Sequence, residues 1–342
     1  MVTDRGAATS ATAEPGLACS DASAVAHEPL AGTAPQATAW LVIEQPTSWG
    51  SDALDCLPGD LGAYLTQASA GSGVRIVLAR RPTAPRQRAI TGRVRVWLAH
   101  TPAGDARLLA GTITSLDMLR DWSFPDIGRG SLPAFGAPIA GDLHLMCTNG
   151  RRDACCARLA RPVLNELNEL NELNERESIL ECTHLGGHRF APTMLSLPGG
   201  YVHGRVSAAG AASVIAASQH GQVSMLGLRG RTSLPAPLQV ADLVVREHLG
   251  NCGRDDLDVL IERDGIAVPP GPSSEPVGQE IRAQVRHRDG RAWSVTVSHQ
   301  VRGEHRPMSC GARAEALSTW EAAQVVAIPG WQHDARPGPT QA

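Results

Sequence analysis

The sequence predicts a mixed α/β fold on three observations. Short runs rich in Val, Ile and Leu, each of strand length, recur between segments of helical character. Pro- and Gly-rich stretches break the chain into blocks. The 342 residues, 42% of them hydrophobic, can bury one large core or two ordinary ones, which excludes a single small domain. The blocks are a disordered leader (1–36), an N-terminal α/β domain (37–135), a second α/β domain (136–234), a C-terminal helix and β-hairpin extension (235–332) and a disordered tail (333–342).

The leader is assigned from small and polar residues that bury too little apolar surface to offset ordering entropy. Thr38 to Glu44 reads as a buried strand ending before Pro46. Ser51 caps a helical stretch to about Ala68, interrupted at Pro58-Gly59. Strands follow at Val74–Ala79, Arg93–Ala99 and Ala106–Thr114, then a short helix from Ser115 to Trp122. Asp126 to Ala140 reads as a linker.

The second domain opens with the strand Leu143–Cys147. Asp153 caps a helix carrying Cys155, Cys156, Leu159 and Val163, which runs into Leu-Asn-Glu repeated four times from Leu164 to Glu175. Leucines every three residues drift around a helix axis, so the repeat reads as a lengthened helix or a loop, not a solenoid. Ile179–Cys182 is a strand. Ala191–Leu197 and Tyr201–Val206 flank a Pro-Gly-Gly turn as a hairpin, and Ser207–Gln219 is an Ala-rich helix. Strand, helix, strand, hairpin, helix is the element order of a thioredoxin-like fold. Pro237–Leu249 reads as a helix, residues 267–277 as a flexible interruption, and Ile281–His287 with Trp293–Val301 as a hairpin about Asp289-Gly290.

Composition narrows the function. There are 12 aromatic residues, no lysine, and a net charge of -3, so a basic, base-stacking nucleic-acid surface is disfavoured. No stretch approaches the ~18 apolar residues of a membrane span, and no secretory signal precedes the eight cysteines. A reducing cytoplasm is the expected location, where clustered cysteines serve metal or redox sites more than staples.

Four residues carry chemistry together: Cys147 and Cys156, spaced C-x8-C, and His184 and His188, spaced H-x3-H. Gly186-Gly187 between the histidines argues for a loop that bends both imidazoles toward one point. Thiolate and imidazole are ligands for zinc, copper or an iron-sulfur cluster. Structural zinc knuckles space cysteines two to four apart, whereas a wide loop suits a binuclear cluster whose two irons need ligands at opposite ends.

The segments Cys147-Thr-Asn-Gly-Arg-Arg-Asp-Ala-Cys-Cys-Ala157 and Cys182-Thr-His-Leu-Gly-Gly-His-Arg-Phe-Ala-Pro-Thr193 resemble the sucrase/ferredoxin-like family. Looser likeness extends from Cys19-Ser20 and Pro29–Pro35, through Leu78–Pro82, to Ser309-Cys-Gly311. The resemblance implies that residues 136–234 form a thioredoxin-like ferredoxin domain. It further implies a 2Fe-2S cluster ligated by Cys147, Cys156, His184 and His188, with Cys155 matching no ligand position. His188–Thr193 also resembles the cis-proline loop of thioredoxins, so a cis bond before Pro192 is expected.

The expected function is electron transfer with proton-coupled reduction, serving redox donor and acceptor proteins that the sequence does not identify. By analogy with Rieske centres the cysteines share one iron and the histidines the other. The protein reads as an electron carrier more than a catalyst. Asp142 and Glu181 make no persuasive glycosidase pair. Two rivals remain: a thiol-disulfide oxidoreductase using Cys155 and Cys156, which lacks a C-x-x-C pair, and a structural zinc-binding interaction module. Cys19, Cys56, Cys182, Cys252 and Cys310 are expected as bystanders. Arg152, Arg189 and Arg205 are candidates for bonding cluster sulfides or steering an acidic partner, against an equal expectation of plain surface arginines.

Overall fold

The protein was analysed as a computed structural model, which describes residues 17–82, 92–169, 179–250, 252–263, 266–269 and 279–329. Helix α1 (Cys19–Val25) precedes a first unit of β1 (Ala39–Glu44), α2 (Leu61–Ser69), β2 (Val74–Arg80), β3 (Val94–His100), β4 (Arg107–Ile113), α3 (Phe124–Gly128) and the two-residue β5 (Ala137–Pro138). A second unit holds β6 (Leu143–Cys147), α4 (Ala154–Glu169), β7 (Ile179–Cys182), β8 (Met194–Leu197), β9 (Tyr201–His203), α5 (Ala208–Gln219) and β10 (Leu228–Arg231). The C-terminal part is α6 (Ala236–Leu249), β11 (Leu257–Arg263), β12 (Ile266–Val268), β13 (Glu280–His287), β14 (Ala292–Pro307) and β15 (Ala314–Ala327).

Both α/β units lie in one ten-stranded sheet of order β10-β9-β8-β6-β7-β2-β1-β3-β4-β5. In the second unit β6 pairs parallel with β7 and antiparallel with β8, which pairs antiparallel with β9. That is the thioredoxin-like order. The first unit repeats it, with β1 parallel to β2, antiparallel to β3, and β3 antiparallel to β4. The two copies meet where β2 pairs antiparallel with β7 through Ala79↔Cys182 and Arg80↔Glu181.

Strand alternation explains the layers. Trp40, Val42, Val77, Leu143, Leu145, Cys147 and Leu180 share one buried core that runs across both units. On the opposite face Leu41, Ile43 and Leu78 pack against Leu61 and Leu65 of α2 and Phe124 and Ile127 of α3. Met146 and Ile179 pack there against Leu164 and Leu167 of α4 and Val214 and Ile215 of α5. The C-terminal strands form a separate antiparallel sheet, β12-β11-β13-β14-β15, covered by Leu238, Ala241 and Val245 of α6.

Several expectations need adjustment. The leader assigned to 1–36 is ordered over its described part, 17–36. Cys19, Ala22 and Ser23 of α1 are fully buried, and Glu28 is buried between two arginines. Small side chains pack closely enough to hold this strap without large apolar ones, and ion pairs do the rest. The linker at 126–140 is partly structured, because Pro125 sits in the first turn of α3 and Phe124 and Ile127 are buried. The stretch after Ser51 divides into a 3-10 turn (Leu54–Cys56) and α2, with no side-chain cap on either. The expected hairpin at β13–β14 stands, joined by β11, β12 and β15. In the tandem repeat, Leu164 and Leu167 belong to α4 and are buried, while residues 170–178 lie outside the described residues, as do 270–277 of the expected interruption and the tail from His333.

Candidate metal centre

The C-x8-C segment is a strand end, a tight loop and a helix start. Cys147 closes β6, its N–H donating to the Thr193 carbonyl at 3.1 Å. The Thr148 hydroxyl donates to Glu181 Oε2 at 2.8 Å, and that carboxylate takes a bond from Arg80 at 2.7 Å, so the loop is anchored at the junction between the two units. The Asn149 carbonyl accepts from the N–H groups of Arg152 and Asp153, folding the chain back. Asp153 Oδ1 then accepts the Cys155 N–H at 2.9 Å, which caps α4 as its sequence position predicts. The first turn of α4 sends adjacent cysteines apart: Cys156 faces Cys147, and Cys155 faces Cys19 and Cys310.

The second segment is the loop after β7. Gly186 and Gly187 adopt φ of 98° and 73°, a region open to glycine and strained for other residues. A Cβ on Gly187 would lie 2.3 Å from Nη2 of Arg229. Arg229 is buried, donates from Nη1 to the Gly186 carbonyl at 2.9 Å and from Nε to Thr33 Oγ1 at 3.0 Å, and also bonds the Thr33 carbonyl. Burial pushes its guanidinium down to about 9. The loop then enters a 3-10 turn at His188–Phe190, and the Ala191–Pro192 bond is cis, as expected.

These segments bring donor atoms of Cys147, Cys156 and His184 within 4.8 Å of one another. His188 stands outside that group. Its ring lies beside that of His184, with centroids 5.0 Å apart, and its Nε2 is 3.6 Å from Asp153 Oδ2. The two thiols are 1% exposed, whereas both imidazoles are half-buried, so sulfur lies inside and nitrogen toward the surface. The Cys156 thiol donating to Cys147, with support from His184 and the Asn149 backbone, holds Cys147 well below the usual thiol range. Cys156 is pushed up by the same bond and by burial. Burial pushes His188 down. The Nδ1 atoms of His184 and His188 are buried without a hydrogen-bond partner among the described residues. Burying such an atom costs about 1–3 kcal/mol unless something binds it, so two thiols and two unpartnered ring nitrogens fit a thiolate- and imidazole-ligated metal group.

Other expected residues fall elsewhere. Arg189 is spent on Glu28 at 2.8 Å, and Arg205 on the carbonyl and hydroxyl of Ser23. Arg152 is exposed. Glu181 pairs with Arg80 and Asp142 with Arg254, each away from the other. Cys182 is buried beside Cys147 in the β6–β7 register, and burial pushes its thiol up. Cys252 lies with Asp256 and His287, and Cys56 is half-buried in a 3-10 turn. Cys19 and Cys310, expected as bystanders, both converge on Cys155 and Asp153, apart from the group of Cys147, Cys156 and His184. Sequence reasoning also missed Arg229 and Glu28. Only the requirement for glycine at 187 hinted that a side chain must press on that loop.

The profile of the sucrase/ferredoxin-like family matches residues 30–230, a span that starts before β1, ends in β10 and contains Cys147, Cys156, His184 and His188. No curated protein and no solved structure matches the chain.

Proposed function

The chain belongs to the sucrase/ferredoxin-like family, and on that premise we propose that it is an electron-transfer protein holding one 2Fe-2S cluster through Cys147, Cys156, His184 and His188. The observation that carries this reading is the pair of buried, unpartnered Nδ1 atoms set beside a buried thiol pair. When bound, such a cluster supplies one-electron redox chemistry at a potential raised by imidazole ligation.

The chain's own residues prepare the site. The Cys147–Cys156 hydrogen bond favours thiolate on Cys147 and holds the proton on Cys156, which that thiol would give up on ligation. Arg229 and the two glycines fix the histidine loop, and with it the separation of the rings. Were Nδ1 of His188 a ligand, Nε2 would be the nitrogen left to hold a proton, and the Asp153 carboxylate 3.6 Å away would favour that charge. The half-buried histidine edge is the side from which an acceptor approaches and from which a proton exchanges with solvent.

The test is anaerobic purification of the full chain with visible absorption and iron, sulfide and zinc analysis. Coloured protein with iron and acid-labile sulfide in equal amounts is expected. Colourless protein with zinc on Cys147 and Cys156 overturns the reading in favour of a structural module, and metal-free protein with a titratable disulfide overturns it in favour of thiol-disulfide exchange.

A further inference from the structure

Beside the candidate cluster site, three cysteines from distant parts of the chain meet one carboxylate. Cys19 opens α1, Cys155 lies in the first turn of α4, and Cys310 sits in the turn between β14 and β15. Their Sγ atoms are separated by 3.6 Å (Cys19–Cys155), 3.3 Å (Cys155–Cys310) and 3.7 Å (Cys310–Cys19). Asp153 Oδ1 is 3.6 Å from the Cys19 sulfur and 3.3 Å from the Cys310 sulfur. All four donor atoms lie within 4.8 Å of one another.

A tetrahedral zinc ion, with Zn–S of about 2.3 Å and Zn–O of about 2.0 Å, places its ligand atoms about 3.5–3.8 Å apart. Three of the five separations, at 3.6–3.7 Å, lie in that range, and Cys155–Cys310 and Asp153–Cys310, at 3.3 Å, are slightly shorter. We propose that Cys19, Cys155, Cys310 and Asp153 form a second metal site, a closed tetrahedral site for zinc, that shares no ligand with the cluster site.

The plain alternative is three thiols filling space as small apolar side chains. Their surroundings argue otherwise. The Ser20 hydroxyl donates to Cys155 Sγ at 3.2 Å, a directed polar contact that a space-filling thiol does not require. Asp153, with a side chain 1% exposed, is oriented by the N–H groups of Cys155 and Cys310 at 2.9 and 2.8 Å, as a ligating carboxylate is held by its outer partners. Cys310 is exposed, which leaves an entry path for the ion. Thiolate-rich tetrahedral donor sets select zinc over harder cations. Occupancy ties α1 and the β14–β15 turn to the start of α4, where Asp153 also faces His188. Cys19 and Cys310 lie outside residues 30–230, so the site belongs to the flanking segments as much as to the family-matched span.

The experiment is elemental analysis of the anaerobically purified full chain and of three variants, with circular dichroism to check folding. One zinc per chain is expected in addition to the iron. Cys310→Ser, in a surface turn, and Cys19→Ser are each expected to lose that zinc and keep iron and visible absorption. A Cys147→Ser/Cys156→Ser variant is expected to keep zinc and lose iron, which separates failure of this proposal from failure of the cluster reading. Cobalt loaded in place of zinc should show sulfur-to-metal charge transfer that Cys310→Ser removes. Wild type without zinc, zinc that survives both Cys19→Ser and Cys310→Ser, or extra iron in place of zinc overturns the proposal.

Discussion

Arg229 Nη1 lies 2.9 Å from the carbonyl oxygen of Gly186, so a buried cation grips the backbone between the two histidines. Arg229→Met should leave the carbonyls of Gly186 and Thr33 unsatisfied, at about 1–3 kcal/mol each. Gly187→Ala should also destabilise, because its Cβ meets the same guanidinium and its φ is 73°. Chemical denaturation of the two single variants and the double variant forms a cycle. The double variant is expected to be less destabilised than the sum, since removing Arg229 removes the clash. Strict additivity would mean that the two do not press on each other.

The divergence of Cys155 and Cys156 makes a substitution test decisive. Cys156→Ser should bleach the visible spectrum and lower iron content, whereas Cys155→Ser should leave both. The reverse result would move the ligand one residue back.

Proton coupling has a defined sign. Adding an electron next to an imidazole ligand raises its affinity for a proton, so removing protons disfavours reduction. The midpoint potential should therefore become more negative as pH rises across roughly pH 6 to 10, toward a slope of about 59 mV per pH unit for one proton per electron. Protein-film voltammetry measures this directly, and a flat potential would argue against solvent-accessible imidazole ligands.

Acid sensitivity comes from groups away from the sulfur ligands. Burial pushes His144 and His203 down to about 4, against an ordinary 6.5. Because the unfolded chain takes up these protons first, stability is expected to fall as pH drops below 6.5 and to keep falling to about 4, by up to about 3 kcal/mol per histidine. Glu28 adds a second phase. Burial pushes its carboxyl up, but Arg306 and Arg189 outweigh that and hold it below 4.5, so its contribution is present above that value and is lost as pH falls through the folded-state pKa. Urea midpoints measured against pH should show both phases, with His203→Gln flattening the first and Glu28→Gln the second.

The strands that place Cys147 and the hairpin behind it were legible because they are short runs of strand length buried on both faces, and the hairpin turn carries Pro-Gly-Gly. The ligand candidates were legible because each pair is close in sequence. Cys19, Cys155 and Cys310 were not, since their meeting depends on chain separations of 136 to 291 residues that no local spacing reports. β15 escaped notice for a different reason: its residues Ala314–Ala327 are mostly exposed beyond Leu317 and Thr319, so little apolar alternation marks them as strand. The strap at 17–36 was misjudged because composition measures apolar bulk and not the buried ion pairs of Glu28.

The pairing of Arg80 with Glu181 across β2 and β7 makes the two halves of the large sheet a self-capping duplicate. Cut free before residue 136, the ligand-bearing half would show β7 as an open edge and leave Glu181, with Thr148 attached to it, without its cation. The first copy thus covers that edge, and fragments that begin at residue 136 should aggregate where the full chain stays dispersed.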